Sequence, residues 1–157
     1  MLVLDREDCT LKIHSDFADL LEFELHQARM RLSNEASVSD ADVKDKSADV
    51  DQDDHFAGGV IFSFKDPTYS FESGGYHPVE VCINSFGKLQ YVTDFAHVGR
   101  PPQVELAKEL DFDFEVNCFG HVGIDYPLSE GAELFAIFQE NFVGYYQADI
   151  FAIEVSS

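Results

Sequence analysis

Between Val79 and Phe95 the chain reads Val-Glu-Val-Cys-Ile-Asn-Ser-Phe-Gly-Lys-Leu-Gln-Tyr-Val-Thr-Asp-Phe, and no other stretch restricts the fold as strongly. Val79, Val81 and Ile83 alternate with Glu80 and Cys82, the period-two pattern of a strand with one buried face. Asn84-Ser-Phe-Gly87 follows as a turn, with Gly87 free to take a positive φ. Lys88 to Phe95 then reads as the returning strand, with Leu89, Tyr91, Thr93 and Phe95 on one face and Gln90, Val92 and Asp94 on the other. A hairpin here commits the chain to antiparallel pairing.

Further strands follow from the same alternation. Val60, Phe62 and Phe64 alternate with Ile61, Ser63 and Lys65 after Gly58-Gly59, and Asp66-Pro67 ends that run because proline has no ladder donor. Asp111-Phe-Asp-Phe-Glu-Val alternates acid and apolar residues, so Phe112, Phe114 and Val116 are expected inward and Asp111, Asp113 and Glu115 outward. Cys118 to Ile124 pairs next, through a turn at Asn117 or Gly120, and Ile150 to Val155 forms a last strand. Leu2 to Leu4 and Leu11 to Ile13 are too short to distinguish strands from ordered arms.

Helical periodicity occurs in two places. Phe17, Leu20, Leu21, Leu25, Ala28 and Leu32 predict a helix from about Asp16 to Leu32, capped by Ser15 or Asp16, with Arg29 and Arg31 complementing the dipole. Leu134, Phe135, Phe138, Phe142 and Tyr145 predict a second from Glu130 to about Tyr146, capped by Ser129. Gly99-Arg-Pro-Pro reads as a loop, with Pro101 or Pro102 opening a short helix that carries Val104, Leu106, Ala107 and Leu110.

Together these elements predict one domain over 1–157 of α+β class: a twisted antiparallel β-sheet with helices packed mainly on one face. Its outward positions collect Glu80, Asp94, Asp111, Asp113, Glu115 and Glu154, which would make one sheet face acidic. Register decides this, since a slip of one residue exchanges the faces. The 15 Phe and 6 Tyr, with no Trp, point to a core built on phenylalanine.

Charge narrows the function classes. Lys and Arg number 10 against 30 Asp and Glu, a formal charge of -20. Such a field repels nucleic acid and anionic membranes and attracts cations or basic protein surfaces. Residues 33–55 hold eight acids and two lysines, and so read as a mobile acidic loop. Asp49, Asp51 and Asp53 have calcium-loop spacing, but Asp54 stands where glycine is needed and Val60 where glutamate is needed. Asp111, Asp113 and Glu115 fail likewise, at Val122. The amino terminus lacks a signal-peptide pattern and no apolar run is long enough to cross a bilayer, so a cytoplasmic location is expected, with Cys9, Cys82 and Cys118 reduced.

No residue set forces a reaction. Gly58-Gly59 and Gly74-Gly75 lead into strands and lack the lysine of a phosphate loop. Zinc would draw on His77, Cys82, His97, Cys118 and His121, yet only Cys118-Phe-Gly-His121 has ligand spacing, with no second pair. The negative surroundings disfavour a thiolate nucleophile. No metal, cofactor or catalytic residue is therefore expected. The candidate binding residues are Tyr69, Tyr76, His77, Glu80, Asp94, Asp111, Asp113 and Glu115, with His77-Pro78 read first as a turn.

Asp66-Pro-Thr-Tyr-Ser, Gly74-Gly-Tyr-His-Pro-Val-Glu, Tyr91-Val-Thr-Asp-Phe, Glu109-Leu-Asp-Phe-Asp-Phe and Phe138-Gln-Glu-Asn-Phe occur in order. Over roughly Phe56 to Val155 the chain resembles the bacterial family catalogued as domain of unknown function 2787. Its members are small gammaproteobacterial proteins, often encoded on pathogenicity islands or other mobile elements. The resemblance implies a fold similar to the acidic mitochondrial matrix glycoprotein that also binds complement, a trimer of twisted antiparallel sheets with flanking helices. It implies no catalytic residue.

The leading expectation is a noncatalytic acidic binding protein, possible as a homo-oligomer, whose sheet face and acidic loop engage a basic protein partner, with no direct nucleic acid and no membrane. Two alternatives are a DNA mimic that blocks a host DNA-binding protein and a small enzyme or metal-dependent site around His77. In the last, Tyr76, Glu80 and either His97 or Asp94 would contribute.

Overall fold

The computed structural model describes residues 3–38 and 58–157. Helix α1 spans Ser15–Val38, so it runs past the predicted end, and Arg29 and Arg31 lie in its interior, leaving no basic residue in the last turn. The predicted acidic loop is thus partly helix at residues 33–38. Its remainder, with the Asp49 spacing, lies outside the described residues.

Six strands follow: β1 Val60–Lys65, β2 Val79–Ile83, β3 Leu89–Arg100, β4 Gln103–Asp113, β5 Cys118–His121 and β6 Ile124–Pro127. A 3-10 turn over Leu128–Gly131 leads into helix α2, Ala132–Gln147, and β7, Ala152–Ser156, closes the series. Ser129 falls in the 3-10 turn, and Gly131 holds the N-cap position with no side-chain cap bond. All seven strands form one open antiparallel sheet in the order β6-β5-β4-β3-β2-β1-β7. Thus β1 to β6 make a meander, and α2 carries the chain back so that β7 pairs with β1. The fold is α+β, as the alternation predicted.

Both helices cover the same sheet face. Phe17 of α1 and Phe135 and Phe142 of α2 are fully buried with Phe62, Phe64 and Phe112 of the sheet. Phe64 meets Phe142 edge-on at 4.9 Å, and Phe17 meets Phe142 at 5.7 Å. Each such ring stabilises the fold by about 1.5–3 kcal/mol through burial, so phenylalanine supplies much of the apolar driving force. The first residues form an ordered arm: Leu4, Leu11 and Ile13 join the core, and Asp5 N–H donates to Gly87 O at 2.7 Å.

Further expectations change, and the run expected as one strand from Cys118 to Ile124 is divided by the Val122-Gly123 turn into β5 and β6. Residues 103–110 are not helical but belong to β4, which pairs with β3 from Tyr91↔Asp113 to Arg100↔Gln103 in one long hairpin. Val116 is 66% exposed, because the chain turns over 114–117 instead of continuing as a strand. The face assignment in β3 also fails. Ile83 pairs with Leu89 whereas Cys82 pairs with Tyr91, so Gln90 is an extra residue that inverts the alternation beyond it. Val92 therefore points to the core and Tyr91 and Thr93 to the opposite face.

Candidate functional site

The turn-rich connection from Asp66 to Val79 is tied together by one carboxylate. Asp66 Oδ1 accepts the Thr68 N–H at 2.8 Å and its hydroxyl at 2.7 Å, while Oδ2 accepts the Tyr76 N–H at 3.0 Å. These donors hold the Asp66 carboxyl below its ordinary range, the Tyr76 amide contributing most. Gly75, at φ +126, has no room for a side chain, since a Cβ would lie 2.8 Å from Asp66 Oδ2. Pro78 O then accepts the Phe95 N–H at 2.9 Å, which sets the connection against β3.

This arrangement delivers His77 to two carboxylates. Its Nδ1 lies 3.0 Å from Asp94 Oδ1 and 2.9 Å from Glu109 Oε2. Asp94 pairs with Val79 and Leu110, so it belongs to the helix-side face, and its side chain is only 14% exposed. Glu109 is placed by a second bulge: Asp94 pairs with Leu110 and Phe95 with Lys108, leaving Glu109 as the extra residue. Burial pushes the Asp94 carboxyl up to about 6, with His77 opposing and Glu109 adding to the rise. Tyr69 packs against the His77 ring at 5.5 Å and stacks on His97 at 4.8 Å, its hydroxyl accepting the His97 N–H.

His77 and Asp94 line one end of a cavity of about 380 Å³. The rest is mostly apolar, with Leu110, Leu134, Ile137 and Phe138, and with Tyr76, Asn141 and Tyr145 as polar or amphipathic groups. Tyr76 and Tyr145 meet at 4.5 Å. An apolar hollow with a few convergent polar groups is the usual form of a small-ligand site.

The opposite sheet face has another character. Register aligns Glu154, Ser63, Glu80, Thr93, Asp111, Gly120 and Asp125 in one row across all seven strands. Carboxylates occupy every second strand, about 10 Å apart at the usual strand spacing. Glu80 accepts the Tyr91 hydroxyl, and Asp111 accepts the Thr93 hydroxyl at 2.7 Å. Both donors are neutral, so they orient the acids without cancelling their charge. Burial and Glu80 push the Tyr91 phenol up, and burial does the same for the Cys82 thiol. Lys108 approaches Asp111 to 3.5 Å.

Residues 17–156 match the model of a family described as Protein of unknown function (DUF2787). The chain belongs to that family. A hypothetical protein from the VSP-II pathogenicity island of Vibrio cholerae is similar in structure, with a TM-score of 0.70 and 25% identity, over 98% of this chain and 100% of that one. A conserved hypothetical protein from pathogenicity island VPI-2 of the same species has a TM-score of 0.70 and 26% identity, over 96% of this chain and 98% of that one. The latter is described as sharing structural homology with the human P32 protein. No curated protein matches.

Within this DUF2787 chain the predicted binding residues divide into two sites. Tyr76, His77 and Asp94 line the cavity, with Tyr69 behind the His77 ring. Glu80, Asp111 and Asp113 lie on the opposite face, and Glu115 sits in the turn after β4, where Asp113 Oδ1 accepts its N–H. Asp94 is thus not an outward acid, for the reason given by the Gln90 bulge. Glu109, Asn141 and Asp125 are not among the candidate binding residues that the sequence offers, although Glu109 and Asn141 stand within the family motifs. Asp125 was detectable in principle, since Gly120 and Asp125 flank the Val122-Gly123 turn and continue the alternation.

Proposed function

We propose that this DUF2787 protein is a noncatalytic binding protein whose carboxylate-lined sheet face receives a basic protein partner. The observation that supports it most is the row Glu154, Glu80, Asp111 and Asp125, set on alternate strands and away from both helices. The charge of -20 adds a long-range field that steers a cationic surface toward it. A DNA mimic fits less well: one carboxylate about every 10 Å is sparser than one phosphate per about 3.4 Å of axis on each DNA strand. Cytoplasmic placement and a trimer belong to the same reading. Among the described residues no helix is long and apolar enough to cross a membrane.

The test is capture of partners by the wild type and by a Glu80→Gln, Asp111→Asn, Asp125→Asn, Glu154→Gln variant, at low and high salt. Basic proteins should be captured by the wild type at low salt, and lost with either salt or neutralisation. Capture that survives both changes would sink the electrostatic mechanism. Light scattering on the same samples gives the solution mass, which should be three times the chain mass for a trimer.

A further inference from the structure

We propose that His77 Nδ1, Asp94 and Glu109 bind one first-row divalent cation at the edge of the cavity, a site separate from the acidic sheet face. The ligand atoms of the three side chains all lie within 4.8 Å of one another. More tellingly, Nδ1 stands 3.0 and 2.9 Å from the two carboxylate oxygens. Ligands bonded at about 2.1 Å lie about 3.0 Å apart at right angles and about 3.4 Å apart in a tetrahedron, so shifts of about half an ångström bring the Nδ1 spacings to either geometry.

Counting donors leads to the same place. Neutral imidazole has at most one proton on Nδ1, and that proton has one good direction, yet two carboxylate oxygens converge on the atom. A dication answers all three groups at once: Nδ1 supplies its lone pair, the ring proton moves to Nε2, and two carboxylates balance the charge. Imidazole in the set favours zinc over manganese, magnesium or calcium, which prefer oxygen ligands.

The surroundings hold the three ligands from separate elements. Asp66 fixes the connection bearing His77, the bulge in β4 turns Glu109 toward it, and Tyr69 backs the imidazole ring. Such supporting contacts are what orient metal ligands. With three protein ligands the ion keeps open positions, and His77 and Asp94 border the cavity where these would be filled. Closely spaced Cys and His pairs mark a structural zinc site in sequence, whereas a His, Asp and Glu set drawn from three elements has no such spacing.

Chelator-treated full-length protein should be titrated calorimetrically with Zn²⁺, Mn²⁺, Mg²⁺ and Ca²⁺. One Zn²⁺ per chain is expected, bound more tightly than Mn²⁺, Mg²⁺ or Ca²⁺. His77→Ala, Asp94→Asn and Glu109→Gln should each weaken it by roughly tenfold or more. Asp111→Asn on the other face and His121→Ala should not. Far-ultraviolet circular dichroism checks each variant's fold, and wild-type protein with Co²⁺ gives an independent readout through paramagnetic shifts of the His77 ring protons. The idea is overturned by no stoichiometric binding, by unshifted His77 resonances, or by an Asp111→Asn loss equal to that of folded Glu109→Gln. Because the sheet-face acids are not ligands here, failure of partner capture leaves this result untouched, and the reverse holds too.

Discussion

Gln139, fully buried in α2, accepts the backbone N–H of His14 on its Oε1 at 2.8 Å and donates from Nε2 to Lys12 O at 3.1 Å. One side chain thereby satisfies both a donor and an acceptor of the arm that leads into α1. Gln139→Leu preserves most of the volume but orphans both groups. Each orphaned group costs about 1–3 kcal/mol, so urea denaturation should show a loss well above that of a surface change. An unchanged midpoint would mean that the arm is not docked this way.

Asp66 gives a pH-dependent contribution whose sign is fixed by its lowered pKa. The folded state binds this proton less readily than the unfolded chain, whose carboxyl titrates at 3.8. The resulting stability is present above that value and disappears as pH falls through the folded pKa. Wild type should therefore exceed Asp66→Asn in stability at neutral pH, and the two should converge below about pH 4. Denaturant midpoints across that range check it; a constant gap would exclude the carboxylate as the cause.

Much of this architecture was readable because its core faces one way. Val60, Phe62 and Phe64 alternate cleanly in β1, and Val79, Val81 and Ile83 do so in β2, since each strand buries a single face. What local pattern could not show was where one strand gains a residue. Gln90 reverses Asp94 from the outer face to the cavity, and neither it nor Glu109 is a residue type that announces a bulge. Residues 103–110 failed differently. Val104, Ala107 and Leu110 fit helical spacing, but pairing of Leu106 with His97 and Ala107 with Ala96 overrides that preference. The His77 cluster is half visible in the sequence: the histidine and Asp94 are candidates there, while their meeting with Glu109 depends on tertiary structure alone.

Two glycines should respond to alanine with opposite signs. Gly87 has φ +80, and an added Cβ would sit 1.9 Å from Val3 O, so Gly87→Ala must disturb both the turn and the arm. A loss of more than about 1 kcal/mol is expected. Gly144 is exposed in the interior of α2 with nothing near its would-be Cβ. There alanine should stabilise by about 0.5–1 kcal/mol through helix propensity. Thermal unfolding of both variants tests the pair.

The carboxylate row makes a prediction about salt that needs no partner. At about 10 Å in water, two unit charges repel by about 0.4 kcal/mol, so the three adjacent pairs among Glu154, Glu80, Asp111 and Asp125 cost the folded state at most about 1 kcal/mol at low ionic strength, less what the Lys108 ammonium beside Asp111 offsets. The Debye length is also about 10 Å at 0.1 M salt, so modest salt should remove most of that penalty. Wild-type stability should then rise between low salt and about 0.2 M by a similar amount. A Glu154→Gln, Asp125→Asn variant keeps only the central pair, Glu80 and Asp111, whose hydroxyl donors Tyr91 and Thr93 remain in place. Its midpoint should start higher and rise less. If both proteins gain equally, the repulsion comes from the charge of the whole chain rather than from this row.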